Sequence, residues 1–246
     1  MDVSIIVTAF NYACFIDECL DSCLDQQGTT LEYEVIVVDD GSTDDTPDLL
    51  ARRLNSRMRV LRIQNSGIEQ AANNGFELAK GRYIVRVDAD DTLSPNYLAH
   101  MAPMIEQGLE FCYSDYTVID VNSLEQELVC LPDFNTEEVM SRGDFLATGT
   151  LYLAELLHSH GGYSTKIKNS GLENYELIIK LLAAGAKGAH IPIPLFKYRR
   201  HFINMSSTRL NEIIDYGQNL FVRNGLGTYR TNQYHPYKLV LPIHFT

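Results

Sequence analysis

The chain has 246 residues, 45% of them hydrophobic, with a formal net charge of -12. This length and composition support a compact folded core and exclude a disordered chain. The acidic excess argues against a nucleic-acid partner and against binding to an anionic membrane surface, because both need clustered Lys and Arg. The five cysteines include no CxxC pair. They therefore predict neither a disulfide framework nor a zinc cluster.

The amino terminus carries no recognisable export signal. Asp2 stands where a signal peptide has positive charge, and the apolar run from Val3 to Val7 is too short to cross a bilayer. We therefore expect a cytoplasmic protein. Peripheral association with the inner face of a membrane stays open.

Short β-branched runs alternate with longer helical patterns in the first hundred residues. Strands are predicted at Val3–Thr8, Glu34–Val38, Val60–Ile63 and Tyr83–Val87. Helices are predicted between them, at about Ala13–Gln26, Thr46–Asn55 and Ile68–Lys80. Such alternation is typical of the α/β class, in which helices cover a parallel sheet.

After Pro95 the pattern is less regular. It predicts a helix at Pro95–Gln107, a strand at Phe111–Val118 and an irregular polar stretch over Asp120–Asn135. Further on it predicts helices at Thr150–Ser159 and Leu172–Ala184, a strand at Ala189–Tyr198 and a helix at Arg209–Val222. This half is expected to be the smaller part of a single domain.

Two of the predicted strands end in carboxylates. The strand 34–38 is followed by Asp39-Asp40, and the strand 83–87 by the acidic run Asp88-Ala89-Asp90-Asp91. Open α/β sheets bind ligands at this edge of the sheet. Turn formation is the alternative role for the first pair.

The crowding in the acidic run favours a bound cation. Mg²⁺ and Mn²⁺ take oxygen ligands and often use one or two protein carboxylates, which leaves positions for phosphate and water. Alternation along an extended chain places Asp88 and Asp90 on one side. Helix capping explains Ser94, which precedes Pro95, but neither of these two aspartates.

Three segments form one ordered set: VSIIVTAFNY at 3–12, VVDDGSTDDT at 37–46, and AKGRYI at 79–84, which leads into the DxD motif Asp88-Ala89-Asp90. In order and spacing, they resemble family 2 glycosyltransferases. The resemblance covers about positions 3–206. It implies a GT-A type fold with a Rossmann-like, mostly parallel sheet in one domain, 1–206. A nucleotide-binding half, 1–91, and a smaller acceptor half, 92–206, would precede a C-terminal helix and tail, 207–246.

The resemblance also implies the roles of the donor-side residues. A nucleoside diphosphate sugar, with uridine diphosphate the expected carrier, would have its base and ribose surrounded by Thr8, Phe10, Asn11 and Asp40. Asp90 would ligate Mn²⁺ or Mg²⁺ with help from Asp88, which would also contact the donor. The segment Tyr198-Arg199-Arg200-His201 is similar to the family's Arg-Arg-His closing motif. It implies His201 as a third metal ligand and Arg199 and Arg200 as partners of the departing diphosphate.

The segment that supplies the general base departs from the family's pattern. Glu173-Asn174 stands where family members carry Glu-Asp, and an amide cannot accept a proton at neutral pH. Either Glu173 takes the role, Glu176 reaches in, or catalysis is impaired. We predict Glu173, whose alternative role is that of a favourable acid in the first turn of a helix.

The predicted function is metal-dependent, inverting transfer of a sugar to an acceptor hydroxyl, in polysaccharide or glycoconjugate synthesis. The acceptor is expected to be a saccharide or a lipid-linked saccharide. A non-catalytic nucleotide-sugar-binding module is the alternative, motivated by Asn174 and by Ala72, where family members often carry Arg. The sugar, the acceptor and the oligomeric state are not indicated by the sequence.

Overall fold

The first half of the chain alternates strands and helices in a computed structural model, which describes residues 1–53, 55–146, 148–229 and 232–234. In chain order the elements are β1 (Val3–Ala9), α1 (Ile16–Leu24), β2 (Tyr33–Asp39), α2 (Thr46–Arg52), β3 (Met58–Arg62), α3 (Ile68–Leu78) and β4 (Tyr83–Asp88). Every strand and helix predicted in this half is present. The ends differ by a few residues, where sequence patterns are weakest.

The second half contains shorter elements. They are β5 (Thr92–Leu93), α4 (Tyr97–Glu106), β6 (Phe111–Ile119), β7 (Glu125–Val129), α5 (Thr136–Arg142), β8 (Leu151–Leu153), α6 (Ala154–Ser159), α7 (Glu173–Ala183), β9 (Gly188–Arg199), α8 (Met205–Thr208) and α9 (Leu210–Arg223). Of the tail predicted after α9, residues 230, 231 and 235–246 lie outside the described residues.

Two predictions for the second half were wrong. The stretch 120–135 is not irregular throughout, because β7 pairs with β6 in an antiparallel hairpin. Most of β7 is exposed, so it lacks the apolar alternation that marks a half-buried strand. The segment Thr150–Ser159 is not one helix, because its first part is the strand β8, whose Leu151 and Tyr152 pair with β4 and β6. A short apolar run fits either structure until its partners are known.

The strands form one mixed sheet in the order β3-β2-β1-β4-β8-β6-β9-β5, with β7 on the free edge of β6. The neighbouring strands β1, β2, β3 and β4 are parallel, and so are β6 and β9. The α/β class with a mostly parallel sheet is therefore confirmed. In the register, Thr8 lies opposite Asp88 and Ala9 opposite Asp39. The carboxyl ends of β1, β2 and β4 thus meet at one edge.

Helices pack on the sheet through a continuous apolar core. All residues of β1 and β2 are buried, as expected for strands covered on both faces. Helix α3 approaches β1 at Gly75, where an added Cβ would lie 2.3 Å from Ile6 Cγ2. Within the described ranges, no helix combines the length and hydrophobicity needed to cross a bilayer.

Candidate active site

A cavity of about 440 Å³ opens where β1, β2 and β4 end. Its far wall is formed by the start of α7 and by the segment that leads through α8 to α9. Most of the site residues predicted from the sequence line it, namely Thr8, Phe10, Asn11, Asp40, Asp88, Asp90 and Glu173. The fold therefore brings together side chains from both halves of the chain.

The Asp40 carboxylate holds the turn before α3 in place. Its Oδ1 accepts a hydrogen bond from the Ser66 amide at 2.6 Å, and its Oδ2 accepts one from the Gly67 amide at 2.9 Å. Each oxygen keeps a second lone pair for a further donor. Asp40 therefore shapes the cavity wall and can still accept from a ligand.

Asn11 and Phe10 form the neighbouring loop after β1. Asn11 has a φ of 60°, and its Oδ1 accepts from the Thr43 amide at 2.7 Å. This contact joins the loop after β1 to the loop after β2. Phe10 is 42% exposed at the cavity, which leaves a ring face available to a planar group.

Asp88 is held by hydroxyl and guanidinium donors at the end of β4. Its Oδ1 accepts from Thr8 Oγ1 at 3.2 Å, and its Oδ2 accepts from Thr148 Oγ1 at 3.0 Å and from Arg86 Nη2 at 3.2 Å. The Asp88 side chain is 24% exposed. It is thus fixed in orientation while facing the cavity.

Asp90 and His201 form a buried pair beside Asp88. Asp90 Oδ2 and His201 Nε2 are 2.9 Å apart, and Asn204 Nδ2 donates to the same oxygen at 3.2 Å. Burial raises the pKa of Asp90, while His201 opposes this change. His201 Nδ1 is buried without a hydrogen-bond partner in the described part of the chain.

These two groups suit a hard divalent cation in chemical kind, since they offer a carboxylate oxygen and an imidazole nitrogen. No set of three or more His, Cys, Asp or Glu side chains among the described residues is arranged to hold a metal ion. A cation at Asp90 would therefore need oxygen ligands from a phosphate or from water as well.

The structure places Arg199 and Arg200 away from the cavity. Arg199 is fully buried, and its guanidinium donates to the Asp90 carbonyl at 2.7 Å and to Glu18 Oε2 of α1 at 2.6 Å. Arg200 lies at the surface, where its Nη1 is 3.2 Å from Glu127 Oε2. Neither is positioned to contact a diphosphate in the cavity.

Arg86 is a cavity residue that the sequence analysis did not single out. Its Nη1 donates to Glu173 Oε1 at 2.9 Å, and its guanidinium lies 5.2 Å from the ring centroid of Tyr163. Together with its bond to Asp88, this makes Arg86 a bridge between the acidic run and α7. One charged residue inside an otherwise apolar buried strand was the available signal, because such a charge needs a partner.

Glu173 begins α7 and is buried. Burial raises the pKa of its carboxyl, and the Arg86 guanidinium opposes this change. The other carboxylate considered as a base, Glu176, does not line the cavity. It is directed to α9, where its Oε2 accepts a hydrogen bond from the Tyr216 hydroxyl.

Asn174 lines the cavity and belongs to a polar cluster with Asp144 and two tyrosines. Its Nδ2 donates to Asp144 Oδ1 at 2.9 Å and to the Leu146 carbonyl. Its Oδ1 accepts from the hydroxyls of Tyr152 at 3.3 Å and Tyr163 at 3.4 Å. The amide thus uses both donors and both acceptor positions.

Asp144 is a second carboxylate that lines the cavity beside the start of α7. It lines the cavity although it is only 4% exposed, and burial raises its pKa to about 7. The sequence analysis assigned no role to it. Nothing in the local pattern of Gly143-Asp144-Phe145 indicates that this aspartate meets α7.

Ala72 is fully buried in the core, whereas its neighbour Ala71 lines the cavity. The difference follows from the helical rotation of about 100° per residue. Position 72 therefore packs in the core and does not line the cavity.

Comparison with known proteins places this geometry in a family. Residues 4–148 match the family model described as Glycosyl transferase family 2. The chain is 28% identical over 205 residues to a chondroitin synthase of Pasteurella multocida (strain Pm70), covering 74% of this chain but only 19% of that protein. It is also 28% identical over 221 residues to the UDP-Glc:alpha-D-GlcNAc-diphosphoundecaprenol beta-1,3-glucosyltransferase WfaP of Escherichia coli, covering 86% of this chain and 82% of the relative.

Among solved structures, residues 1–349 of S. aureus TarS in complex with UDP-GlcNAc superpose with a TM-score of 0.74. The two share 20% identity over 93% of this chain and 67% of that one, which shows a common fold. The GT-A type fold expected from the sequence is confirmed. The chain belongs to glycosyl transferase family 2.

Proposed function

We propose that this chain transfers a sugar from a nucleoside diphosphate sugar to an acceptor hydroxyl. The observation that carries the proposal is the single cavity in which carboxylates from the ends of β2 and β4 face carboxylates of the opposite wall. The names of WfaP and of the TarS complex, which refer to UDP-Glc and UDP-GlcNAc, support uridine diphosphate as the carrier.

In this proposal the nucleoside lies at the carboxyl ends of β1 and β2. The exposed ring of Phe10 would stack on the base, and Asp40 would accept from it with a lone pair not used by the Ser66 and Gly67 amides. Thr8 and Asn11, which line the same wall, would surround the ribose.

The diphosphate would lie over the acidic run. Asp90 and His201, helped by Asp88, would hold Mn²⁺ or Mg²⁺ through the carboxylate oxygens and the imidazole nitrogen described above. When bound, such an ion supplies Lewis-acid stabilisation of the leaving diphosphate. Arg86 and Arg209 are arginines that line this cavity, and they would add positive charge beside it.

The reaction needs one proton acceptor on the far wall. An acceptor hydroxyl loses its proton to a cavity carboxylate and its oxygen bonds to the anomeric carbon. As this bond forms, the bond from the same carbon to the diphosphate oxygen breaks, and attack from the side opposite the diphosphate inverts the centre. Glu173, the base predicted from the sequence, lines the cavity, and so does Asp144. The ion pair between Glu173 and Arg86 opposes protonation of the Glu173 carboxylate.

The acceptor we propose is a saccharide or a lipid-linked saccharide, as the name of WfaP suggests. A lipid-linked acceptor would bring the protein to a membrane surface. Because this chain spans only 19% of the chondroitin synthase it resembles, polysaccharide synthesis is part of the proposal.

Turnover of defined donors tests this function. Purified protein is incubated with UDP-GlcNAc, UDP-Glc or UDP-Gal in Mn²⁺, with methyl glycosides as acceptors, and UDP release and product mass are measured. We expect one donor to be consumed, and Asp90→Asn to reduce the rate at least 100-fold. Binding of UDP without any turnover would identify the binding module motivated by Asn174. Absence of both binding and turnover would refute donor use.

A further inference from the structure

The two carboxylates on the acceptor side of the cavity have different neighbours. Glu173 Oε1 lies 2.9 Å from Arg86 Nη1, and the same guanidinium also binds Asp88. Protonating Glu173 would leave a buried guanidinium with one partner fewer. This ion pair opposes the rise in pKa that burial gives the Glu173 carboxyl.

Asp144 is placed differently. No ion pair of the described residues includes its carboxylate, and its Oδ1 accepts from the neutral amide of Asn174 at 2.9 Å. Burial raises its pKa to about 7; the hydrogen bond from Asn174 opposes this rise, the repulsion of Glu173 adds to it, and Arg86 opposes it. A general base works best with a pKa near the working pH.

The other titratable groups around Asp144 are tyrosines. They belong to β6, β8, α7 and the loops beside them, namely Tyr116, Tyr152, Tyr163, Tyr175 and Tyr229. Burial raises the pKa of each of these hydroxyls, so all stay neutral at pH 7. Glu173 and Arg86 are therefore the charged groups that act on Asp144.

We propose that Asp144 accepts the proton of the acceptor hydroxyl and that Asn174 is its positioning residue. The proposal rests on the proposed function and replaces Glu173 as the base. The hydroxyl proton moves to Asp144, the oxygen forms the bond to the anomeric carbon, and the electrons of the broken carbon–oxygen bond leave with the nucleoside diphosphate.

The hydrogen bonds of Asn174 explain how it positions this base. Its Oδ1 accepts two tyrosine hydroxyls, so its Nδ2 must face Asp144 and the Leu146 carbonyl. The Leu146 carbonyl can only accept a hydrogen bond, so a rotated amide would place the Oδ1 acceptor against that carbonyl and against the Asp144 carboxylate. A 2.9 Å hydrogen bond thus joins the amide of Asn174 to the carboxylate of Asp144. Glu173 then serves to orient Arg86.

An exchange of the two side chains tests the proposal. Asp144→Asn, Glu173→Gln and the double variant Asp144→Asn/Asn174→Asp are compared with the unchanged protein, using UDP-GlcNAc or UDP-Glc, whichever is turned over. We measure kcat and KM from pH 5 to 9 and UDP affinity by calorimetry. Asp144→Asn is expected to reduce kcat by about 10²–10⁴-fold with UDP affinity within about twofold. The double variant, which moves the carboxylate across the hydrogen bond, is expected to recover at least about tenfold.

The pH profile separates a base from a structural residue. The unchanged protein is expected to lose kcat below pH about 7, and Glu173→Gln to keep this acidic limb while losing less activity than Asp144→Asn. A folded Asp144→Asn variant with more than a tenth of the original kcat would overturn the proposal. Loss of the limb in Glu173→Gln alone would return the role to Glu173.

Two further outcomes complete the test. If Asp144→Asn does not fold, the pH profile of Glu173→Gln decides: a retained acidic limb supports Asp144 as the base, and loss of the limb returns the role to Glu173. Failure of the proposed function itself looks different. In that case the unchanged protein neither binds UDP nor releases it from either donor.

Discussion

Asp144→Asn should make the stability of this protein less dependent on pH. Since burial raises the pKa of Asp144 from its usual 3.8 to about 7, the folded protein binds more protons than the unfolded chain between these two values. Stability therefore falls as pH rises through this window. At about 1.4 kcal/mol per pKa unit, the loss attributable to Asp144 between pH 5 and pH 8 is about 3 kcal/mol. Screening by solvent is small, because the residue is only 4% exposed.

Urea denaturation at pH 5, 6, 7 and 8 measures this difference. The free energy of unfolding of the unchanged protein should drop by about 3 kcal/mol more than that of Asp144→Asn across the series. Contributions from Asp90 and Asp91 are common to both proteins and cancel. Asp25→Asn, at an exposed position, is the matched control and should follow the unchanged protein. Parallel curves for Asp144→Asn and the unchanged protein would refute the perturbed pKa on which the reasoning depends.

Three smaller predictions concern single contacts. Phe10→Ala should weaken UDP binding by about 5- to 30-fold in calorimetry, through loss of base stacking, and an unchanged affinity would remove Phe10 from the donor site. Gly75→Ala should lower the free energy of unfolding in urea by about 1–3 kcal/mol, because the new Cβ would meet Ile6 Cγ2 at 2.3 Å; a stabilised variant would contradict the close packing of α3 on β1. Arg200→Ala should leave UDP affinity within about twofold, since its partner is the surface residue Glu127, whereas a tenfold loss would restore its predicted diphosphate role.

The first half of the fold was predictable because its sequence signals are local. Strands β1, β2 and β4 are buried on both faces, so each appears in the sequence as a mostly apolar, β-branched run. The carboxylates that end β2 and β4 then meet at one edge as a consequence of parallel pairing. From these two facts, the location of Asp40, Asp88 and Asp90 follows without tertiary information.

The second half of the fold was less predictable because its contacts are long-range. Asp144 meets Asn174 across 30 positions, and Arg199 is held by Glu18 across 181 positions. A family motif predicts a role for Arg199, but it does not show that α1 provides the partner of this arginine. The same limit explains β8, whose three residues are a strand only because β4 and β6 lie on either side.

UDP binding with and without metal tests the central claim most directly. Calorimetric titration of the unchanged protein and of Asp90→Asn, each in Mn²⁺ and in EDTA, compares the four affinities under one set of conditions, with Asp25→Asn as the matched control. The unchanged protein is predicted to bind UDP in Mn²⁺ and to lose at least about tenfold in UDP affinity in EDTA. Asp90→Asn is predicted to show this weakened affinity both in Mn²⁺ and in EDTA. UDP affinity that is absent throughout, or that is the same in all four titrations, would contradict a nucleotide-sugar site built on Asp90.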